Sequence, residues 1–377
     1  MVCPFGVRLV QRDKLLAQEK KILVICPFPQ GVAAGQRLKY EQYFKHWELN
    51  NYKVEVDSFM DTELWEVVYS KGHLAKKIYG TLKGYIKRFS RLFTLREFDI
   101  VYIFMWVTPI GPSFFERLYR FISKNIIYDL EDNVLVSKSN TLNPVMSFLR
   151  GSSKTSYLIK KSDHVITSSP FLNDQCLRIN EAKSCTYISS SLDLDRYKVK
   201  NDYSNDDKVV IGWTGTFSSV TYLDSLREVF IELNEKVDFK LRVIGNFEYD
   251  FPELDLDLVF WSEKDEIEDL SVIDIGVYPL PEDDWVLGKS GLKALQYMAM
   301  GLPTVATDVG TTPKIISHMK NGWLVTNTKT DWVNALETLV KDSSLRKNLG
   351  SQARRHIEEN YSTRVIENNY LKIIKNY

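Results

Sequence analysis

Residues 276–310 read GVYPLPEDDWVLGKSGLKALQYMAMGLPTVATDVG. GVYPL is a short apolar run closed by Pro279 and Pro281, as a buried strand leaving its sheet is closed. PEDDWVLGKSG is a polar loop. LKALQYMAM then places Leu292, Leu295, Met298 and Ala299 at helical spacing. Gly301 and Pro303 stop that helix, and PTVAT is the next strand. Strand, loop, helix, strand is the repeating unit of a parallel α/β sheet. Gly288 and Gly291 stand just before the helix, with Lys289 and Ser290 between them. A helix start with free N–H groups, flanked by glycines and a lysine, suits a phosphate. A solvated connection that only needs glycines to turn uses the same residues. The triphosphate-binding loop is excluded, because its first glycine falls on Asp283.

Outward from this stretch, 377 residues provide for about two domains. No window holds a membrane-spanning apolar run. Residues 1–19 read as a poorly ordered leader or a short helix, without a signal-peptide core, since Arg8, Arg12, Asp13 and Lys14 interrupt it. Cys3, Cys26, Cys176 and Cys185 form no CxxC pair and no zinc spacing, which predicts a reduced, cytoplasmic protein without a structural metal. The net charge is zero but unevenly placed. Residues 1–200 hold 30 Lys and Arg against 20 Asp and Glu, and residues 201–377 hold 19 against 29. A basic half joined to an acidic half predicts two domains with different partners, or two faces that attract across a cleft.

In the first half, KKILVICPF (20–28) reads as a buried first strand, followed by a glycine loop and a helix over 38–49. Gly35 and Arg37 lie in that loop, where open α/β sheets bind ligands. The spacing of Gly31 and Gly35 does not make the dinucleotide fingerprint. YKVEVDSF, FDIVYIFMWV, NIIYDLEDNV, SDHVITSS and SCTYISSSLDLDRY supply further strands. Asp129, Glu131 and Asp132 close one of them, where they take up a proton, bind sugar hydroxyls, or only cap the next helix. His164 follows Asp163 at a strand start and reads as structural.

Residues 71–96 contain eight Lys or Arg and no acid, with Leu74, Ile78, Leu82, Ile86, Phe89 and Phe93 at helical spacing. Such a helix fits an anionic membrane surface, or packs its apolar face into a core. No motif supports nucleic acid. The breaker-rich KVKNDYSNDDK (198–208) is the linker, and KVVIGWTGTF opens a second set of βα units, with a helix over about 221–235. The resulting division is 20–200, 201–360 and a last helix within 361–377.

Taken in order, VVIGWTGTF, FKLRVIG, SVIDIGVYPL, GKSGLKALQYMAMGLPTVATDVG, NGWLV and ENYS resemble the nucleotide-binding half of GT-B glycosyltransferases, in particular the large retaining family four. KILVICPFP with its GQR loop, IIYDLEDNV, SDHVITSSPFL and YISSSLDLDRY resemble the acceptor half. The resemblance implies two Rossmann-like, doubly wound α/β domains facing a central cleft, with the last helix crossing back to the first domain. It implies a nucleoside diphosphate sugar as donor, a saccharide or lipid-linked acceptor, and no bound metal or other cofactor. It implies Gly215 and Thr216 beside the diphosphate and sugar, and Lys289, Ser290 and Gly291 at the phosphate-receiving helix start. Gln296 falls where the family carries a ribose-binding glutamate, and Trp261 and Glu263 where the base is held; Arg37 faces in from the first domain. The family's Glu-x7-Glu is absent, Gly288 and Gln296 standing at its positions.

The expected activity is transfer of a sugar, with retention, at the inner membrane face during cell-surface polysaccharide synthesis. Lys289 is the expected support of the leaving diphosphate, and Asp129 and Asp132 are the acceptor-side candidates. A catalytically silent subunit of the same fold, or a sugar-nucleotide epimerase, are the rival readings.

Overall fold

The structure is a computed structural model that describes residues 19–131, 152–204 and 208–377. The first sheet contains β1 (Lys20–Cys26), β2 (Tyr52–Ser58), β3 (Ile100–Phe104), β4 (Asn125–Leu130), β5 (His164–Thr167) and β6 (Cys185–Tyr187). Its order is β2-β1-β3-β4-β5-β6, and every pairing is parallel. The second sheet contains β7 (Val209–Thr214), β8 (Phe239–Gly245), β9 (Leu256–Phe260), β10 (Ile275–Tyr278), β11 (Thr304–Thr307) and β12 (Trp323–Val325). Its order is β12-β11-β10-β7-β8-β9, again all parallel.

Helices cover both faces of each sheet, which is why the inner strands read as unbroken apolar runs. In the second sheet, Ile211 and Trp213 of β7 pack with Phe230 and Trp332 on one face. Tyr297 and Met298 of the helix Leu292–Ala299 pack on the other, with Leu270 and Ile357. In the first sheet, Leu23 and Ile25 face Tyr119, Leu158 and Leu172, while Ile22 and Val24 face Trp47 and Tyr370. Tyr370 belongs to the helix Thr363–Lys375, so the last helix packs on the first sheet. The chain therefore passes between the halves twice, near Leu192 and near Tyr361–Thr363. The two passes are hydrogen-bonded to each other, Leu192 N donating to Tyr361 O at 3.0 Å and Thr363 N to Leu192 O at 3.0 Å.

Three expected helices differ in detail. The span 38–49 breaks into Ala34–Arg37, a turn at Glu41–Tyr43 and Phe44–Glu48. The span near 221–235 breaks into Val220–Asp224 and Arg227–Asn234. The basic segment forms the helix Leu74–Arg91, but its buried face is Gly80, Gly84 and Arg88 rather than its apolar stripe. Close packing explains the choice. A Cβ on Gly84 would stand 2.6 Å from the Phe59 ring, and one on Gly80 3.0 Å from Leu64. Arg88 then locks the register, with Nη1 2.6 Å from Asp57 Oδ1 and Nη2 2.9 Å from Cys26 O.

Candidate active site

In open α/β sheets, ligands bind beyond the strand C-termini where the strand order reverses. That point lies between β1 and β3 in the first sheet and between β7 and β10 in the second. The loops leaving these strands face one another. Arg37, after β1, forms an ion pair with Glu263, after β9, at 3.1 Å. Ser168, after β5, approaches the Gly288 carbonyl, after β10, at 3.4 Å. The glycine-lysine turn thus faces the first domain rather than bulk solvent.

The turn is built to leave a helix start open. Val286–Gly288 is a single tight turn, and Lys289 is extended, its carbonyl held by Thr311 Oγ1 at 2.7 Å. Gly291 caps the helix at φ +78° without a side-chain hydrogen bond, so the first-turn N–H groups keep no cap of their own. A Cβ there would also meet Ile315 at 2.3 Å. The half-buried Lys289 reaches over the Trp285 ring, 5.4 Å from its centroid.

One turn on stands Lys293, absent from the residues singled out by sequence. Its Nζ is 4.5 Å from the Trp213 ring centroid and 3.3 Å from Ser219 Oγ. Burial, and next the charge of Lys289, bring its pKa down to about 7. Beside it lies Gly215, at the end of β7, where a Cβ would stand 2.1 Å from Trp213 and 2.7 Å from Lys293 Nζ. Thr216 is exposed on the same loop, its N–H on Ser219 Oγ at 3.1 Å and its hydroxyl 2.9 Å from that of Ser218. Two ammonium groups, a helix start and a glycine with no room for a side chain converge at the switch point. That arrangement draws an anion: a low-pKa ammonium regains its proton when a negative charge arrives. Ser290 is half-buried in the same turn. The signal in the sequence was the single charged residue of that helix, a lysine in its first turn.

Further along the rim, Gln296 is buried, and its amide donates to Glu266 Oε1 at 3.2 Å and to Tyr197 OH at 3.4 Å. Trp261 Nε1 donates to the same Glu266 oxygen at 3.3 Å. Glu263, with a side chain 49% exposed, turns instead to Arg37.

On the acceptor side one expectation is overturned. Asp129 does not line the cleft. It is fully buried, one oxygen ion-paired with Lys39 Nζ and the other accepting from Tyr102 OH. Burial raises its pKa, Lys39 only partly offsetting the effect. A carboxylate with both oxygens occupied inside the fold takes no proton from an acceptor hydroxyl. Asp132 lies outside the described residues. Glu131 is the acid that reaches the loop after β1: its Oε2 would be 2.4 Å from a Cβ on Gly35. Its carbonyl accepts from Ser168 Oγ, the group that touches Gly288. His164 is structural, held between Thr186 Oγ1 at 3.0 Å and Ser184 Oγ at 2.7 Å. A separate groove of about 530 Å³ lies between Tyr222, Pro281, Asn327 and Trp332. It contains Glu228 and Glu282 beside Lys329, so it lacks the positive bias of the lysine turn.

Residues 208–342 match the family described as Glycosyl transferases group 1. The chain is 27% identical over 192 residues to the N-acetyl-alpha-D-glucosaminyl L-malate synthase of Bacillus anthracis, covering 47% of this chain and 48% of that protein. It thus spans about half the length of that curated relative. Among solved structures, sucrose-phosphate synthase from Thermosynechococcus elongatus superimposes with a TM-score of 0.71 at 15% identity, over 95% of this chain and 98% of that one. Anabaena HepE in complex with UDP-glucose gives 0.66 at 15% identity, over 95% and 100%. The chain has the two-domain GT-B fold, and within it residues 208–342 match the family of group 1 glycosyl transferases.

Proposed function

We propose that this protein transfers a sugar from a nucleoside diphosphate sugar to a saccharide or lipid-linked acceptor in cell-surface polysaccharide synthesis. The observation that carries the reading is Lys293, packed against Gly215 and within the field of Lys289, at the open helix start after Gly291. The bond from the anomeric carbon to the β-phosphate oxygen breaks, and the acceptor hydroxyl oxygen bonds to that carbon. The hydroxyl proton leaves with the departing diphosphate, whose oxygen lies on the same face, so the anomeric configuration is retained. The demand on the protein is to stabilise negative charge as it builds on the leaving oxygen. Lys293 suits this: with its pKa lowered to about 7 by burial, it takes a proton from water when the anionic donor binds, and stands as a full ammonium while charge builds on the leaving oxygen. Lysines and helix N–H groups supply the positive charge, with no step assigned to a metal. Glu131, packed against Gly35, and Arg37, paired with Glu263, are assigned in this reading to the acceptor side.

The acceptor side is proposed to lie at an anionic membrane surface. Supporting this, the helix Leu74–Arg91 turns Leu74, Ile78, Leu82, Ile86 and Phe89 outward, together with Phe93; Leu74 and Ile86 are each 70% exposed. Lys76, Lys83 and Lys87 are exposed along one border of that stripe. Apolar insertion and lysine attraction act together at such a surface.

The deciding experiment incubates the purified chain with a panel of nucleoside diphosphate sugars and lipid extracts, scoring released nucleoside diphosphate and labelled product. Lys293→Ala should abolish release. Failure of every donor to raise the melting temperature, or to be turned over, would favour the silent-subunit reading. Sedimentation with vesicles containing phosphatidylglycerol tests the surface: Ile86→Asp should stay in the supernatant while the parent chain pellets.

A further inference from the structure

We infer that Glu266, rather than the residue at position 296, is the carboxylate that selects a ribose-containing donor. Gln296 is the positioning residue that aims it. The inference rests on the diphosphate reading of the lysine turn and adds the neighbouring subsite.

Lys293 and Gln296 lie three apart on the helix Leu292–Ala299, so they share a face about one turn apart. A nucleoside diphosphate seated on the lysines brings its sugar ring to that distance from its phosphates. Gln296 does not meet it directly. It is 4% exposed, and its amide is directed to Glu266 and Tyr197. Glu266 is half-buried and comes from an earlier helix, Glu266–Ser271, which follows β9. Its Oε1 receives both donors, Trp261 Nε1 at 3.3 Å and Gln296 Nε2 at 3.2 Å. Among the described residues no side chain donates to its other oxygen. A carboxylate accepts through two oxygens, so one pinned oxygen leaves the other for a ligand hydroxyl.

The position is correct for the purpose. Trp261 N bonds Gly245 O at 3.3 Å, and Gly215 N bonds Ile244 O at 3.0 Å, so the loops leaving β7, β8 and β9 lie side by side. Glu266 is thus on the same rim as Gly215 and Lys293. An acid at the end of a neighbouring strand is how Rossmann sheets hold ribose hydroxyls. The amide at 296 is then required, not merely tolerated. A glutamate there would oppose Glu266 across a contact of 3.2 Å, and two carboxylates that close do not both ionise.

The test measures binding of ADP, GDP, CDP and UDP, their 2′,3′-dideoxy forms and inorganic pyrophosphate by calorimetry. The parent chain should prefer the ribose form of its nucleotide by about tenfold or more, the weight of a hydrogen bond to a charged group. Glu266→Gln and Glu266→Ala should both reduce that preference while leaving pyrophosphate affinity unchanged, which also reports that the variants are folded. Gln296→Glu should weaken ribonucleotide binding, more so at pH 8 than at pH 5. Retained preference in Glu266→Ala, or tighter binding by Gln296→Glu, would overturn the assignment while the diphosphate reading stands. A parent chain that binds neither pyrophosphate nor any nucleotide would overturn both.

Discussion

Replacing Lys293 by methionine keeps the stem against Trp213 and removes the ammonium. Burial beside Lys289 has brought that ammonium from 10.5 to about 7. At about 1.4 kcal/mol for each tenfold change in proton affinity, folding with the charge in place is disfavoured by about 5 kcal/mol as a ceiling. The unfolded chain holds the proton up to about pH 10.5 and the folded chain only to about 7. The penalty is therefore complete below pH 7, shrinks through the window from 7 to 10.5, and vanishes above it. Lys293→Met should melt higher than the parent at pH 6, with a gap of roughly 2–4 °C per kcal/mol recovered. The gap should close by pH 10.5. Inorganic pyrophosphate should raise the melting temperature of the parent and not of the variant, because the anion has lost its partner. Differential scanning fluorimetry at pH 6, 8 and 10 reads both effects. A variant that melts lower than the parent at pH 6, or gains as much from pyrophosphate, would refute the reasoning that Lys293 is desolvated for an anion.

Gly215→Ala sets a methyl 2.1 Å from the Trp213 ring, so it should lose about 1–3 kcal/mol by urea titration and all pyrophosphate stabilisation. Asp129→Asn leaves the buried Lys39 ammonium without its counter-charge and should lose about 3–5 kcal/mol, lowering the yield of folded protein along with activity. Burial lowers the His164 pKa to about 4 against 6.5 unfolded, so its share of stability is full above pH 6.5 and is lost as pH falls towards 4. That share is about 3 kcal/mol, and His164→Gln should flatten the acid limb of a stability–pH curve by that amount.

The two sheets were legible because strands covered on both faces leave apolar runs that need no tertiary information to notice. VVIGWT and IVYIF are such runs, and they became β7 and the body of β3. The helix over 38–49 was not, since its apolar residues serve the first core through a turn at Glu41–Tyr43 that periodicity does not reveal. Lys289 was legible from its glycine neighbours. Lys293 was hidden because its meaning comes from Trp213 and Ser219, far away in the chain. Asp129 was misjudged for the same reason in reverse: a strand-end acid looks available until Lys39 and Tyr102 are seen to fill its oxygens. In residues 74–91 the period was plain, but not which face turns inward. Phe59 and Leu64 decide that, and they accept glycines.

The paired passage of the backbone near Leu192 and Tyr361–Thr363 has a mechanical meaning. A single tether lets two bodies swivel in any direction. Two tethers stitched together act as the pin of a door, so folding about that line is easy and torsion across it is resisted. Approach of the halves then runs along one coordinate. Arg37 with Glu263 and Ser168 with Gly288 both bridge the halves away from that line, so rotation about it changes the two separations together.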